Sequence, residues 1–268
     1  MPKNLNQEKM IISSHNDRIL NIVKLSQPRA RTKQDLLIIE GERELELALK
    51  QRYQIQELFY SPELAPKNKF AADRLNTTEI SADIFKKIAY KAKPDGYLAV
   101  AKIVKKELKD IKLSKNPLII VLETVEKPGN LGAILRTAYA AEVDAIIITD
   151  PQTDIYNPNV IRASMGHLFT NQVVIADVSD TKKWLIKNKI KTYGATTKAK
   201  KYYHQTDFQK PSAIVMGTEA TGLSPKWLKN LDYEIKIPMQ AGIDSLNVSV
   251  AAAIITYEAR RQRNFVDF

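Results

Sequence analysis

The chain has 268 residues, 44% of them hydrophobic, with 41 Lys and Arg against 30 Asp and Glu, a formal net charge of +11, and no cysteine. The length suits one large or two modest domains with a real core. Without Cys there is no disulfide framework, thiol nucleophile or zinc–thiolate site, and His15, His167 and His204 lie too far apart in sequence for metal-ligand spacing, so no metal is expected. The N-terminal MPKNLN lacks the apolar run of a signal peptide, and the run Leu118 to Leu122 is too short to span a bilayer. A soluble protein in a reduced cytoplasmic setting is expected, with no membrane partner. The basic excess is denser over residues 1–113 (22 cations, 15 anions) than over 114–268 (19 and 15). Such a surface favours polyanions, nucleic acid being the commonest, although a generic solubilising surface has the same composition.

In chain order, residues 1–30 are polar, with helical signals around Asp17 to Leu25. Leu36 to Ile39 reads as a strand, and Glu42 to Lys50 as a helix in which Leu and Glu interleave. Ile55 to Tyr60 is a strand stopped by Ser61-Pro62. Phe70 to Leu75 suggests a helix, Thr77 to Ile80 a strand, Ser81 to Tyr90 a helix, and Gly96 to Ile103 a strand. Lys105 to Pro117 is charged, weakly apolar after Leu113, and is expected to be a linker. A second series opens with the strand Leu118 to Leu122. A helix over Asn130 to Ala141 and a strand over Ala145 to Thr149 follow. Further strands are expected at Val173 to Ala176, Thr192 to Ala195, Ala213 to Met216 and Tyr233 to Ile237, with helices near Lys182 to Lys189, Pro225 to Asn230 and Asn247 to Arg263. Alternating strands and helices, with several strands uninterruptedly apolar, imply a parallel sheet covered on both faces.

Three loops at strand ends are unusual, and ligands of such sheets bind beyond the C-terminal ends of the strands. The first runs Glu126-Lys127-Pro128-Gly129-Asn130-Leu131-Gly132 into a helix containing Arg136. Asn130 reads as its cap, and a spacing of six residues, nearly two turns, reads as placing Arg136 on roughly the same side. A cap and a solvated cation would look alike. The second, Met216-Gly217-Thr218-Glu219-Ala220-Thr221-Gly222, frames an acid between two glycines directly after a strand. It is not a dinucleotide fingerprint, which speaks against a nicotinamide oxidoreductase. The third runs from Ile237 to Asn247, where Met239 and Leu246 offer apolar walls and Ser245 and Asn247 offer neutral polar groups. The mix suits a small uncharged ring.

The segments NLGAILRTA, MGTEATGLS and IPM…SLNVSVAAAI, covering about residues 118–263, resemble the three motifs of the SpoU/TrmH-type RNA ribose 2′-O-methyltransferases of the SPOUT superfamily. The N-terminal IIEGERELELAL and IQELFYSPEL resemble the L30e-like substrate-binding domain often joined to them. The resemblance implies an α/β fold with a C-terminal SPOUT α/β knot over 118–268, trefoil-knotted around a mostly parallel sheet. A smaller L30e-like α/β domain over 1–105 and a linker over 106–117 precede it. It implies bound S-adenosylmethionine and a homodimer with the site near the subunit contact, for which the helix Asn247 to Tyr257 is a candidate element. Three positions depart from the family pattern. Lys127 stands where Asp is frequent, Glu142 near where Gly commonly ends the first helix, and Thr218 where Asn is frequent.

By the same resemblance, Arg136 activates the ribose hydroxyl, or stays cationic and clamps an RNA phosphate. Asn130, Glu219, Ser245 and Asn247 complete the catalytic group. Thr196, Met216, Gly217, Gly222, Ile237, Met239, Ser245 and Leu246 are the expected contacts of the methyl donor. Arg29, Arg31, Lys33 and Arg162 are the expected RNA contacts, and Lys198, Lys200 and Lys201 follow a strand end that could face the site. Ribosomal RNA, the 23S species foremost, is the expected substrate. The alternatives are tRNA, or a non-catalytic RNA-binding or ribosome-assembly factor with a vestigial cofactor pocket.

Overall fold

The computed structural model describes residues 10–265; the first nine residues of the expected N-terminal domain and the last three of the C-terminal one lie outside the described residues. The chain divides into two compact units, one of residues 1–104 with 156–166, the other of 105–155 with 167–268.

The first unit opens with α1 (Asp17–Leu25), capped by Asn16, whose side chain accepts from the Arg18 amide at 3.0 Å. Then come α2 (Pro28–Gln34), β1 (Leu36–Glu40), α3 (Glu42–Lys50), β2 (Ile55–Tyr60), β3 (Thr77–Glu79), α4 (Ala82–Ile88) and β4 (Tyr97–Lys102). The sheet order is β1-β4-β2-β3, with β4 antiparallel to both neighbours and β3 parallel to β2. Ile19, Ile22 and Leu25 recur at helical spacing on α1, and they pack with Ile38, Phe59, Phe85 and Leu98 into one core. Glu40, buried at the end of β1, accepts from the amides of Tyr90 (2.6 Å) and Lys91 (3.1 Å). Burial pushes its carboxyl above the usual range, against those hydrogen bonds. The helix expected over Phe70 to Leu75 is a single 3₁₀ turn at Ala71–Asp73, because Arg74 takes the left-handed conformation (φ 51°) and ends it.

The second unit holds β5 (Leu118–Glu123), α5 (Pro128–Ala140) and β6 (Ala145–Thr149). After these the chain forms α6 (Pro158–Ala163), which belongs to the first unit and packs on β1. The sequence places residues 156–166 in the C-terminal domain; the fold gives them to the first unit. The second unit resumes with α7 (His167–Thr170), β7 (Val173–Ile175), α8 (Val178–Lys187), β8 (Lys191–Ala195), β9 (Lys201–Tyr202), β10 (Ser212–Met216), α9 (Pro225–Leu228), β11 (Tyr233–Lys236) and α10 (Val248–Gln262).

Its seven strands are all parallel, in the order β7-β6-β5-β10-β8-β11-β9. Every residue of β5 and β6 is buried, as strands covered on both faces must be. Ile119, Val121, Ala213 and Val215 pack with Leu185 of α8 and Trp227 of α9 on one side. On the other, α10 packs on β10 and against α5. The expected linker is an apolar strap: Leu108, Ile111 and Leu113 rest on that same core. Gln172 holds it by exchanging hydrogen bonds of 2.8 Å with the backbone of Lys112. Arg263, just past α10, donates to the carbonyls of Asn116 (2.6 Å), Lys210 (2.8 Å) and Phe208 (2.9 Å), and burial pushes its guanidinium down to about 10.

The chain runs outward from β5 through β6 to β7, then returns to the other side of β5 for the remaining strands. The order therefore reverses between β5 and β10, and a ligand crevice is expected outside the carboxyl ends there.

Candidate active site

Beyond the ends of β8, β10 and β11 lies a cavity of about 620 Å³, within the ordinary range for small-molecule sites. Thr196 comes from the end of β8, Met216 and Gly217 from β10, Ile237 and Met239 from the turn after β11, and Ser245 and Leu246 from the approach to α10. With Gly222, all eight residues expected from sequence to hold the methyl donor line this one cavity.

Backbone geometry explains the glycines. The amides of Thr218 and Gly222 donate to each other's carbonyls at 3.1 Å, folding residues 217–222 into a tight hairpin, with Gly222 at φ +69°. A Cβ at Gly217 would lie 2.2 Å from the carbonyl carbon of Gly222. No other residue type fits that approach. Glu123, 3% exposed at the end of β5, anchors the hairpin's exit by accepting from the Ser224 amide (2.8 Å) and hydroxyl (2.5 Å). Sequence reading missed Glu123. An acid closing the apolar strand LIIVLE was the signal, but its partner lies 101 residues away.

A polar cluster adjoins the cavity. One oxygen of Glu219 accepts from Asn130 Nδ2 (2.5 Å) and Asn247 Nδ2 (2.8 Å), and the other from Lys127 Nζ (2.8 Å). Asn247 Nδ2 also reaches Asn130 Oδ1 at 3.1 Å. The Lys127 ammonium holds the Glu219 carboxyl below the usual carboxylate range, and the carboxylate raises Lys127 in return. Asn247 caps α10, its side chain accepting from the Ser249 amide at 3.0 Å. Asn130 is no cap. The helix α5 starts with Pro128 at its first position, which leaves Asn130 in the first turn with its amide turned to Glu219.

Four of the five expected catalytic residues thus come together: Asn130, Glu219 and Asn247 in the cluster, Ser245 on the cavity wall. Arg136 does not join them. It is exposed on α5 and lines neither the cavity nor the space around Glu219 among the described residues. Six residues at about 100° each turn the helix by about 600°, so Arg136 points about 120° away from Asn130 rather than along it. The angular step, not the count of turns, corrects the expected placement.

The expected RNA contacts also divide. Arg29 and Lys33 are exposed on α2, four residues apart on one face. Arg31, between them, points inward and is 1% exposed, with its guanidinium donating to the carbonyls of Leu25 and Ser26 at 2.8 Å each. It closes the end of α1 and cannot meet a phosphate from there. Arg162 is exposed on α6, in the first unit, and donates to the Tyr90 carbonyl at 3.4 Å. Lys198 lines the cavity, while Lys200 and Lys201 are exposed. Glu142 takes the left-handed conformation (φ 48°) that explains why Gly is frequent there, and it pairs with Arg260 at 2.8 Å.

The cavity's composition fits the expected donor. Met216, Ile235, Leu246 and Ile255 are apolar walls for a flat ring, and the charged side chains lining it include both signs, Lys198 and Lys236 with Glu219 and Asp244, as a zwitterionic tail requires. A family model described as the SpoU rRNA methylase family matches residues 117–257, and another described as an MRM3-like substrate binding domain matches 16–99. The chain belongs to the SpoU rRNA methylase family. As such it is a methyltransferase that uses S-adenosylmethionine to modify RNA at the ribose 2′-oxygen. It is 28% identical to the 23S rRNA (guanosine(2553)-2′-O)-methyltransferase of Bacillus subtilis, over 94% of this chain and 99% of that one. It is 27% identical to a 23S rRNA (uridine(2479)-2′-O)-methyltransferase of Streptomyces viridochromogenes, over 89% and 87%. Among solved structures, the AdoMet-bound rRNA methyltransferase from Sinorhizobium meliloti superposes with a TM-score of 0.86 at 27% identity, covering 94% of this chain and 97% of that one. Among the described residues no helix is long and apolar enough to cross a membrane, and no cluster of His, Asp or Glu is arranged to hold a metal ion.

Proposed function

We propose that this enzyme methylates a ribose 2′-hydroxyl of 23S ribosomal RNA in the cytoplasm. The observation that carries this reading is the convergence of three separated loops on one cavity bordered by the Asn130–Glu219–Asn247 cluster. S-adenosylmethionine supplies an electrophilic methyl group on a sulfonium. The chain has to hold the ribose oxygen in line with it, accept or relay the hydroxyl proton, and keep water out. Glu219 is an organiser rather than the base, because its carboxylate is already committed to Lys127, Asn130 and Asn247 and is held below the usual range. Asn130 and Asn247 are thereby oriented as fixed polar groups beside the reacting ribose, with Ser245 on the cavity wall.

Arg136 takes the remaining role, as the group that draws the proton off or clamps the adjoining phosphate, and it enters from a second copy of this chain. Three features support a homodimer built on this face. Arg136 shares the outer side of α5 with Tyr139, three residues on, which is 48% exposed. Val250 and Tyr257, seven apart on α10, are 47% and 41% exposed, and α5 packs against α10. Residues 1–105 together with 156–166 act as the substrate-binding domain, 106–117 as the connection, and the rest of 118–268 as the catalytic domain with the trefoil-knotted path. Arg29, Lys33 and Arg162 are its RNA contacts.

The test is tritiated methyl transfer into 23S rRNA from cells lacking this gene, with the site mapped by primer extension. Arg136→Ala should abolish transfer and Gly217→Ala should weaken donor binding about a hundredfold. Mixed dimers of the two variants should regain activity, because one of their two sites is intact. Recovery of nothing on mixing would reject the shared site. Transfer into tRNA but not 23S rRNA would reassign the substrate. RNA binding without any donor binding would make the chain a non-catalytic factor.

A further inference from the structure

The outer edge of the seven-stranded sheet carries cations and rings in a pattern that reaches beyond the methyl-transfer site, sharing only Lys198 and Lys236 with the donor cavity. β9 pairs with β11 so that Tyr202 stands opposite Lys236 and Lys201 opposite Ile235. Neighbouring residues of a strand face opposite sides, so two separate cation–ring pairs result. On one side the Lys236 ammonium lies 5.3 Å from the centre of the Tyr202 ring. The exposed His204 lies parallel to that ring, 5.6 Å away at 8°, and Tyr203 meets His204 edge-on at 5.4 Å. On the other side the Lys201 ammonium lies 5.8 Å from the ring of Tyr233, which is 45% exposed and stacks on Tyr193 at 5.1 Å.

The charge at this edge is open. Lys198, Lys200, Lys201 and Lys236 form no ion pair with a described residue. The carboxylate facing His204, Glu258, is already bound through both oxygens by Arg261 at 2.8 Å each and by Gln262 at 2.7 Å. Lys198 and Lys236 also line the donor cavity, so the edge is continuous with the cavity wall.

We propose that this edge is a platform for single-stranded RNA, on which a nucleotide flanking the target ribose stacks against His204 while Lys200 and Lys201 hold neighbouring phosphates. The proposal rests on the RNA methyltransferase reading and deepens it. Rings set among unpaired cations are the combination that binds single strands without reading sequence, because every base offers a π-face and every nucleotide a phosphate. A duplex fits poorly, since stacking in the helix already covers its base faces.

Binding of a fluorescent 12-nucleotide oligouridylate, followed by anisotropy, tests this directly, with a 12-base-pair RNA duplex alongside. His204→Ala should weaken oligouridylate binding about tenfold, as loss of one base–aromatic stack does. His204→Phe, which keeps a ring, should bind like the parent. The double variant Lys200→Gln/Lys201→Gln should flatten the slope of log affinity against log salt by about 1.4, the share of two phosphates on a single strand. Unchanged circular dichroism and S-adenosylmethionine affinity in His204→Ala establish that its fold is intact. Oligouridylate affinity within about twofold of the parent in His204→Ala overturns the proposal, as does an equal loss for the duplex. The underlying activity is separable. If 23S rRNA is methylated but His204→Ala binds oligouridylate normally, the platform alone fails. If no RNA is methylated yet His204→Ala loses oligouridylate, the platform stands and the methyl-transfer reading fails.

Discussion

The cluster around Glu219 and the edge formed by β9 and β11 carry charge in opposite ways. Around Glu219 each polar group is occupied by another. Lys127, Asn130 and Asn247 all converge on one carboxylate, and Asn247 is further fixed by capping α10. At the edge, cations rest on rings and leave their charge to solvent. A closed network fixes geometry and gives up affinity for outside ions, while an open one does the reverse. Variants in the first should therefore act on the rate of transfer and on donor binding. Variants in the second should act on RNA affinity and its salt dependence.

The sharpest break is expected at the hairpin that walls the cavity. In Gly217→Ala the new methyl meets Gly222 backbone at 2.2 Å, and backbone cannot swing aside. Overpacking of roughly 3 kcal/mol corresponds to about a hundredfold loss of donor affinity, read by titration calorimetry. Parent-like binding would mean that this hairpin is not the donor's wall. Glu219→Gln comes next. It removes the charge that holds Lys127 and both amides, and a hydrogen bond to a charged group is worth about 1.5–3 kcal/mol, so single-turnover transfer should fall by roughly one to two orders of magnitude. A rate within about threefold of the parent would show the cluster to be mere surface. The same contrast repeats in miniature on α2. Arg31→Ala strips two carbonyls of their buried donor and should cost about 2 kcal/mol in chemical denaturation, with the salt dependence of RNA binding unchanged. Arg29→Gln should leave stability alone and flatten that dependence. If the two variants exchange these effects, the division into closed and open cations is wrong.

Much of this was readable from the chain. β5, β6 and β10 are uninterrupted apolar runs because both their faces are buried, and composition shows that directly. The three loops were legible because glycine, proline and asparagine mark backbone demands that are local. Quantities that depend on angle or on distant partners were not legible. Arg136 looked aligned with Asn130 because nearly two turns sounds like a return to the same side, whereas the helix closes on itself only every 3.6 residues. Arg31 looked like its neighbours Arg29 and Lys33, and only the helix direction sends it inward to cap α1. Glu123 and Ser224 meet across a register that no window of sequence contains. β9, of two residues, is too short to show a period, so its pairing with β11 came only from the fold.

The subtlest effect is expected from Lys127, the residue that departs from the family's usual Asp. Its ammonium is the main reason that Glu219 stays ionised below the usual carboxylate range. A carboxyl depressed on folding stabilises the fold above its unfolded value, and that contribution is lost only as pH falls through the lower folded value. In Lys127→Met the folded value rises toward that of a free glutamate, so the contribution shrinks and what remains is gone at a higher pH. A protonated Glu219 also accepts less well from Asn130 and Asn247, so the acid limb of the transfer rate should move up with it. At pH 7 the change should be small, because an ordinary glutamate is still ionised there. Single-turnover rates from pH 4 to 8 decide the matter. An acid limb that stays where it was, in a variant that still binds S-adenosylmethionine, would mean that the Lys127–Glu219 pair decorates the cluster without governing it.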